Sequence, residues 1–274
     1  MRGIKAFLQG AINVFGWQAL HRQRGGYDLR RIARFGTDHL KDARKILQGR
    51  IETVFDIGGN VGQTVRAFLP AFPNARIYSF EPDPGTFEQL QAAVKGEPRV
   101  SAVCAALGRE PGNAQLHRFR MDQTNSLLPK AVGAEQYVYD KEYLEAAGVI
   151  SVPVSTVADF CQQQGIARID VLKIDTQGYE LEVLNGARQL LTSGSISLIY
   201  LEVCFVPYYE GQPLFQDIYK FLYESGYRLV GLYESGFLTH CYQVGGNALF
   251  VHEALGALPP PVARIDLGVV RLCW

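Results

Sequence analysis

The hydrophobic pattern of the chain changes character near residue 53. Before it, apolar residues recur at near-helical spacing over residues 4–20 and again over 37–47, where Thr37 or Asp38 can cap the helix. After it, short apolar runs rich in β-branched and aromatic residues alternate with longer amphipathic segments. Strands that alternate with helices predict an α/β domain built on a doubly wound, mostly parallel sheet.

Seven strands and five helices are predicted in this second part. The strands span residues 53–56, 76–80, 100–107, 171–175, 196–203, 227–232 and 247–252, and the helices span 63–69, 85–93, 157–164, 179–191 and 214–225. The last two strands follow each other without a helix, which predicts an antiparallel pair at one edge of the sheet. Residues 112–154 add strand-like pieces around a polar insert.

The charge distribution divides the chain further. Residues 1–50 carry 11 Lys or Arg and 3 Asp or Glu, a net charge of +8, although the whole chain has a net charge of zero. The predicted parts are a basic helical extension (1–50), a catalytic domain (51–255) and a proline-stiffened strap (256–274). A basic amphipathic helix can contact an anionic membrane surface, cover a second subunit in a homo-oligomer or pack on its own domain. The neutral total charge does not indicate a nucleic-acid partner.

The cysteines and the amino-terminal sequence indicate where in the cell the protein is expected. The five cysteines are scattered and include no Cys-x-x-Cys pair, which is typical of a reducing environment and disfavours a zinc site. Polar residues interrupt the first apolar stretch, and no window of 18 clean apolar residues exists, so neither a secretory signal nor a transmembrane helix is predicted. The expected location is the cytoplasm, with the membrane surface as the alternative.

A glycine-rich turn follows the first predicted strand. Asp56 lies at the carboxyl end of that strand, Gly58, Gly59 and Gly62 allow a sharp turn, and the next helix then presents its free amides to a ligand. Glu81 ends the second strand, where a carboxylate can accept the two ribose hydroxyls of a nucleoside. Ligands of open α/β sheets bind at this edge, beyond the carboxyl ends of the strands.

The details of this turn favour S-adenosylmethionine over NAD. A diphosphate site needs Gly-x-Gly-x-x-Gly, and here Asn60 replaces the middle glycine. Asp56 suits a cationic ammonium better than a diphosphate. Pro82 follows the acidic residue of the second strand, and Ala105 and Ala106 end the third strand, where small side chains leave room for an adenine.

Four segments in this order carry a family resemblance: "FDIGGNVGQT", "YSFEPDP", "TNSLL" and "VLKIDTQGYELEVLNGA". Over about residues 50–252 the chain resembles the FkbM-type methyltransferases. The resemblance implies a Rossmann-like class I methyltransferase fold, S-adenosylmethionine as cofactor and a sugar or natural-product hydroxyl as acceptor. It also implies cofactor contacts for Asp56, Gly58, Asn60, Gly62 and Glu81. Many members have Glu-Gly where this chain has Gln177-Gly178.

Methyl transfer to a hydroxyl requires alignment of the reacting groups and a group that accepts the proton. Asp175 and Glu202 end two strands that are expected to be neighbours, so they can act as a base with a hydrogen-bond acceptor or as a pair that binds Mg²⁺. Asp175 is also expected next to the cofactor. Lys173 is either a base or a structurally paired lysine.

Two other features are candidates for contacts with ligands. The insert "MDQTNSLLP" offers polar side chains, Ser126 among them, that either close over the cofactor or form a solvated loop. His240 is either a second candidate base or a structural histidine. The expected function is S-adenosylmethionine-dependent O-methylation of a small-molecule or glycan acceptor. The alternatives are an NAD-dependent oxidoreductase and a non-catalytic nucleoside-binding module.

Overall fold

The computed structural model describes residues 17–21, 27–31, 35–238 and 242–255, with side chains over 35–236 and 243–255. Its strands are β1 Trp17–His21, β2 Tyr27–Arg31, β3 Thr53–Ile57, β4 Arg76–Phe80, β5 Val100–Val103, β6 Ala106–Leu107, β7 Gly112–Phe119, β8 Ala146–Ser155, β9 Ile169–Ile174, β10 Ile196–Cys204, β11 Tyr227–Leu238 and β12 Tyr242–His252. Its α-helices are α1 His39–Ile46, α2 Gln63–Ala71, α3 Pro84–Ala93, α4 Val157–Gln164, α5 Glu180–Gly186, α6 Arg188–Thr192 and α7 Phe215–Glu224.

The central sheet has seven strands in the order β11-β12-β10-β9-β3-β4-β5. Every neighbouring pair is parallel except the two pairs that involve β12. This topology confirms the predicted doubly wound sheet and its antiparallel pair at one edge. Because β3 lies between β4 and β9, the strand order reverses there, and a ligand crevice forms at such a point in open α/β sheets.

Helices cover both faces of the sheet, and each face has its own core. Val54 and Phe55 are adjacent in β3 and are both fully buried, yet they belong to two different hydrophobic clusters. This division follows from the alternation of side chains along a strand. All six residues of β9 are buried, as expected for a parallel strand covered on both faces.

The insert forms a second, smaller sheet, and it divides one predicted strand. The predicted strand 100–107 is two strands, because β5 ends at Val103 and β6 joins β7 and β8 in the order β6-β8-β7. The Ala105 amide donates to the Val103 carbonyl oxygen at 3.1 Å, which turns the chain out of the central sheet. Three short 3-10 helices, at Asp122–Thr124, Ala134–Tyr137 and Lys141–Leu144, lie between β7 and β8.

The predicted helix 179–191 is also divided, into α5 and α6. Gly186 ends α5, and a Cβ at this position would lie 2.0 Å from the Gly108 carbonyl oxygen. The chain therefore passes so close to Gly108 that no side chain fits at position 186.

The amino-terminal region differs from its prediction. The predicted helix over residues 4–20 overlaps β1, which pairs antiparallel with β2 in a separate two-stranded sheet. The apolar positions that carry the helical spacing, Ile4 to Phe15, end before β1 begins at Trp17. Residues 1–16, the predicted strap 256–274 and His240 lie outside the described residues.

Helix α1 confirms the second amino-terminal prediction. The Asp38 side chain accepts a hydrogen bond from the Lys41 amide and caps the helix. Ala43 and Leu47 are buried in the core beneath the sheet, and the Tyr233 hydroxyl donates to Asp42 Oδ2 at 2.9 Å. Residues 39–47 therefore belong to the same body as the sheet, although they fall within the predicted extension. Among the described helices, none is long and apolar enough to cross a membrane.

Candidate active site

The glycine turn after β3 brings the chain against the end of β9. Gly58 has a φ of 78°, and a Cβ there would lie 1.8 Å from the Asp175 carbonyl oxygen. Only glycine accommodates both the left-handed backbone and this close approach. Gly62, with a φ of 85°, is the cap residue from which α2 begins.

The amides of this turn are occupied within the protein. The Gly58 and Gly59 amides both donate to the Phe80 carbonyl oxygen, at 3.0 and 2.8 Å, and the Asn60 amide donates to Glu81 Oε2 at 3.0 Å. The amide of Gly62 donates to the Gly59 carbonyl oxygen at 2.9 Å. A diphosphate needs such amides free, as in a dinucleotide fold. The turn therefore does not fit the NAD alternative.

Glu81 ends β4 at the mouth of the crevice. Its second carboxylate oxygen, Oε1, accepts from the Asp83 amide at 2.9 Å, so each oxygen has one internal partner and a further lone pair available. The side chain is only 7% exposed, and burial raises its pKa to about 7. Glu81 is therefore a buried acid held at the cavity wall by backbone amides.

The first cavity lies at the carboxyl ends of β3, β4 and β9. Seven predicted cofactor residues line it: Gly58, Asn60, Glu81, Pro82, Ala105, Ala106 and Asp175. The polar insert contributes Asp122, Gln123 and Asn125, so the insert reaches this cavity. The sequence reasoning missed the remaining lining residues, which are Ile57, Gln63, Phe80, Leu107, Leu116, Leu127, Thr176, Gln177 and Tyr179.

Asp56 and Lys173 form a buried ion pair beneath this cavity. Asp56 is fully buried, accepts from the Ser79 hydroxyl at 2.8 Å and lies 3.1 Å from Lys173 Nζ. Lys173 Nζ also donates to the Gly58 carbonyl oxygen at 2.7 Å. Burial alone would lower the pKa of Lys173, but the Asp56 and Asp175 carboxylates offset it and raise the pKa, so the ammonium stays charged.

This arrangement departs from one expectation and selects between two alternatives. Asp56 pairs with Lys173 and is not among the residues that line the cavity, contrary to its expected contact with the ammonium of a cofactor. Lys173 is a structurally paired lysine rather than a base, since its three donors point to the protein. The pair instead holds the glycine turn against β9.

Three other predicted cofactor residues also lie behind the cavity wall. A Cβ at Gly59 would lie 2.2 Å from the Ser79 hydroxyl oxygen, so Gly59 packs on β4, and Gly62 packs on α3. Ser126 is 1% exposed and its hydroxyl donates to the Gln177 carbonyl oxygen. The expected contact of Ser126 with the cofactor is thus replaced by a contact with the backbone of residue 177.

Gln177 joins the two candidate carboxylates. Its Nε2 donates to Asp175 Oδ1 at 2.9 Å and to Glu202 Oε2 at 2.8 Å, and its Oε1 accepts from the Tyr209 hydroxyl at 3.1 Å. The backbone at Gln177 is left-handed, with a φ of 55°, and Ser126 holds its carbonyl. No signal short of the three-dimensional contacts identifies this residue as the link between the carboxylates.

A second cavity begins on the other side of Gln177. Asp175 lines only the first cavity, Glu202 lines only the second, and Gln177 lines both. The remaining residues of the second cavity are Thr124, Val138, Tyr143, Leu144, Cys204, Tyr208, Tyr209, Glu234, Gly236, Val244, Gly245, Gly246 and Asn247. The two cavities therefore meet at the bridged carboxylates.

The junction contains a buried carboxyl group with a strongly perturbed pKa. Burial and the negative charge of Asp175 raise the pKa of Glu202 well above its ordinary value. The same donor set does not fit a divalent cation, because the Gln177 amide group already lies between the carboxylates and donates to both. No cluster of three or more potential metal ligands occurs within the described part of the chain. The Mg²⁺ expectation is not supported.

The comparisons with known proteins agree with this architecture. The family model of the methyltransferase FkbM domain matches residues 56–229. The chain belongs to this family of S-adenosylmethionine-dependent methyltransferases, which confirms the resemblance found in the sequence.

Several relatives carry methyltransferase names. The chain is 28% identical over 182 residues to the 2-O-methyltransferase NoeI of Sinorhizobium fredii, across 64% of this chain and 74% of that protein. It is 22% identical over 177 residues to the hexuronic acid methyltransferase AglP of Haloferax volcanii, across 64% of this chain and 62% of that protein. The structure of M. capricolum TrmK with S-adenosyl-homocysteine is a distant likeness, with 10% identity and a TM-score of 0.42 over 78% of this chain and 67% of that chain.

Proposed function

We propose that this protein transfers a methyl group from S-adenosylmethionine to a hydroxyl of a sugar or natural product. The observation that carries the proposal is the meeting of two cavities at one bridged pair of carboxylates. The first cavity has the features of a nucleoside site, and the second is an open cavity for an acceptor. Relatives named as a 2-O-methyltransferase and a hexuronic acid methyltransferase support a hydroxyl as the methylated group.

The residues of the first cavity fit S-adenosylmethionine. Glu81 has lone pairs free to accept ribose hydroxyls, and Ala105 and Ala106 leave space for a flat ring beside apolar side chains. Asp175 lines the wall nearest the second cavity, where a positively charged group would be stabilised. When bound, S-adenosylmethionine supplies a methyl group attached to a cationic sulfur.

Glu202 is the candidate base for the acceptor hydroxyl. It lines the acceptor side of the junction, and its raised pKa makes it a stronger proton acceptor than an ordinary carboxylate. Gln177 fixes the orientation of both carboxylates, and the Tyr209 hydroxyl fixes Gln177 in turn. In this proposal, Asp175 orients the cofactor side and Glu202 takes the proton on the acceptor side.

The proposal is tested by transfer of a labelled methyl group. The full-length protein is incubated with S-adenosylmethionine carrying ¹³C in its methyl group and a cell extract, and the labelled products are identified by mass spectrometry and NMR. We expect an O-methyl product that is lost with Glu202→Gln and kept with Glu224→Gln, which changes an exposed acid at the end of α7. Label on nitrogen or carbon, or no transfer by a protein that binds the cofactor, would contradict the proposal.

A further inference from the structure

The second cavity has two chemically different sides. The insert between β7 and β8 and the segment after β10 supply aromatic and aliphatic side chains: Val138, Tyr143, Leu144, Tyr208 and Tyr209. Strands β10, β11 and β12 supply polar groups: Glu202, Glu234 and Asn247. A ring with a C–H face and hydroxyl edges matches such a combination, because apolar walls pack on the face and polar groups bind the edges.

The register of the strands brings the polar groups together. Glu202 of β10 pairs with Asn247 of β12, and Asn247 pairs with Tyr233 of β11. The register shifts directly after Tyr233, and Glu234 has a φ of 49°. Bulges of this kind redirect a side chain next to a functional site. Glu234 is thus placed beside Asn247, whose Nδ2 donates to Glu234 Oε2 at 2.9 Å.

The Glu234 side chain lines the second cavity and is largely exposed to solvent. Its side chain is 63% exposed, and the nearest basic group is His39, with Nδ1 at 3.9 Å from Oε1. Burial lowers the pKa of His39, which disfavours a charged ring beside Glu234. Among the described residues that line the second cavity, none is a lysine or an arginine. The described lining therefore offers acceptors for hydroxyl groups and supplies no lysine or arginine to pair with an acid.

We propose that the second cavity selects an uncharged, polyhydroxylated ring of the pyranose type, and that Glu234 excludes the corresponding sugar acids. The inference rests on the proposed function, because it assigns the acceptor class of the same site. Because Glu234 is largely exposed, solvent screens its charge. A uronate about 6 Å from it, at an effective dielectric constant of about 40, is disfavoured by about tenfold in affinity. The carboxylate and amide oxygens at the polar side instead accept hydrogen bonds from neighbouring hydroxyls.

The test compares matched neutral and acidic sugars without requiring turnover. The full-length protein is saturated with S-adenosylhomocysteine and titrated by ligand-observed NMR with the methyl glycosides of glucose, galactose and mannose and with the matching methyl uronides. We expect each neutral glycoside that binds to do so about tenfold more tightly than its uronide. Glu234→Gln keeps an oxygen that accepts from Asn247 but removes the charge. It should therefore reduce the difference in affinity between glycoside and uronide to about threefold or less, whereas Glu224→Gln should leave this difference unchanged.

Three results would overturn the inference. The first is a uronide that binds as tightly as its neutral glycoside or more tightly, and the second is no binding by any of the neutral glycosides. The third is a Glu234→Gln variant that keeps the full difference in affinity between the neutral glycoside and the uronide. A failure of the proposed function has a different signature, since it appears as absent methyl transfer or absent cofactor binding. The titration therefore separates the choice of acceptor from the reaction itself.

Discussion

Acidification below pH 7 is expected to weaken cofactor binding through Glu81. Burial raises the pKa of this carboxyl to about 7, whereas an unfolded chain releases the proton near 4.5. The folded, cofactor-free protein therefore holds a proton that the unfolded chain has lost between these values, and the contribution of Glu81 to stability falls as pH rises through this window. Ribose hydroxyls require the ionised form, because protonation removes an acceptor site from a group whose oxygens already accept two amides.

The magnitude follows from the pKa. A ligand that binds only ionised Glu81 loses about tenfold in affinity, or about 1.4 kcal/mol, for each pH unit below 7. Binding at pH 5 should thus be about a hundredfold weaker than at pH 8. The same linkage predicts release of about 0.9 proton per bound ligand at pH 6 and about 0.1 at pH 8.

Calorimetric titration with S-adenosylhomocysteine measures both quantities, if each pH is repeated in two buffers with different ionisation enthalpies. Glu81→Gln should bind weakly with little dependence on pH, and Glu88→Gln, an exposed acid on α3, should behave like the unmodified protein. An affinity that does not change between pH 5 and pH 8 would refute the role of Glu81. If the affinity of Glu81→Gln still changes with pH in the same way, the proton belongs to another group.

The remaining predictions concern the turn and the junction. Asp175→Asn should reduce kcat by more than a hundredfold with little change in the Kd for S-adenosylhomocysteine, and a loss of tenfold or less would contradict its place at the reacting groups. Lys173→Met leaves the fully buried Asp56 without its partner, and urea unfolding should show a loss of about 3–5 kcal/mol; a loss below 1 kcal/mol would contradict the buried pair. Gly58→Ala should abolish cofactor binding in calorimetry or prevent folding, because its Cβ meets the Asp175 carbonyl. Gly96 shares the positive φ but has nothing within 4 Å of a Cβ, so Gly96→Ala should lower the free energy of unfolding by only about 1 kcal/mol. Normal binding by Gly58→Ala would contradict the close approach.

The sheet and the first cavity were largely predictable because their signals are local. The strands of the central sheet are rich in apolar residues, and Glu81 directly follows the last apolar residue of β4. The glycine turn also directly follows a predicted strand, the two alanines after β5 end another, and they all line the cavity or its wall. Gln63, the first residue of α2, was missed although its position directly after the turn could have identified it.

The contacts that depend on strand register were not predictable from local pattern. Asp56 and Lys173 are opposite each other across β3 and β9, and this pairing turns an expected ligand contact into a buried ion pair. Glu234 reaches the second cavity only because β11 contains a bulge. Gln177 joins the carboxylates through a left-handed backbone that its sequence neighbours do not specify. These contacts arise from long-range geometry rather than from residue spacing.

A crystal structure of the full-length protein with S-adenosylhomocysteine tests the central claim most directly. The account predicts the ribose hydroxyls on Glu81, the adenine beside Ala105 and Ala106, and the sulfur facing Gln177 at the entrance to the second cavity. A nucleoside bound in the second cavity, or a sulfur turned away from Gln177, would contradict the assignment of the two cavities and of the methyl transfer between them.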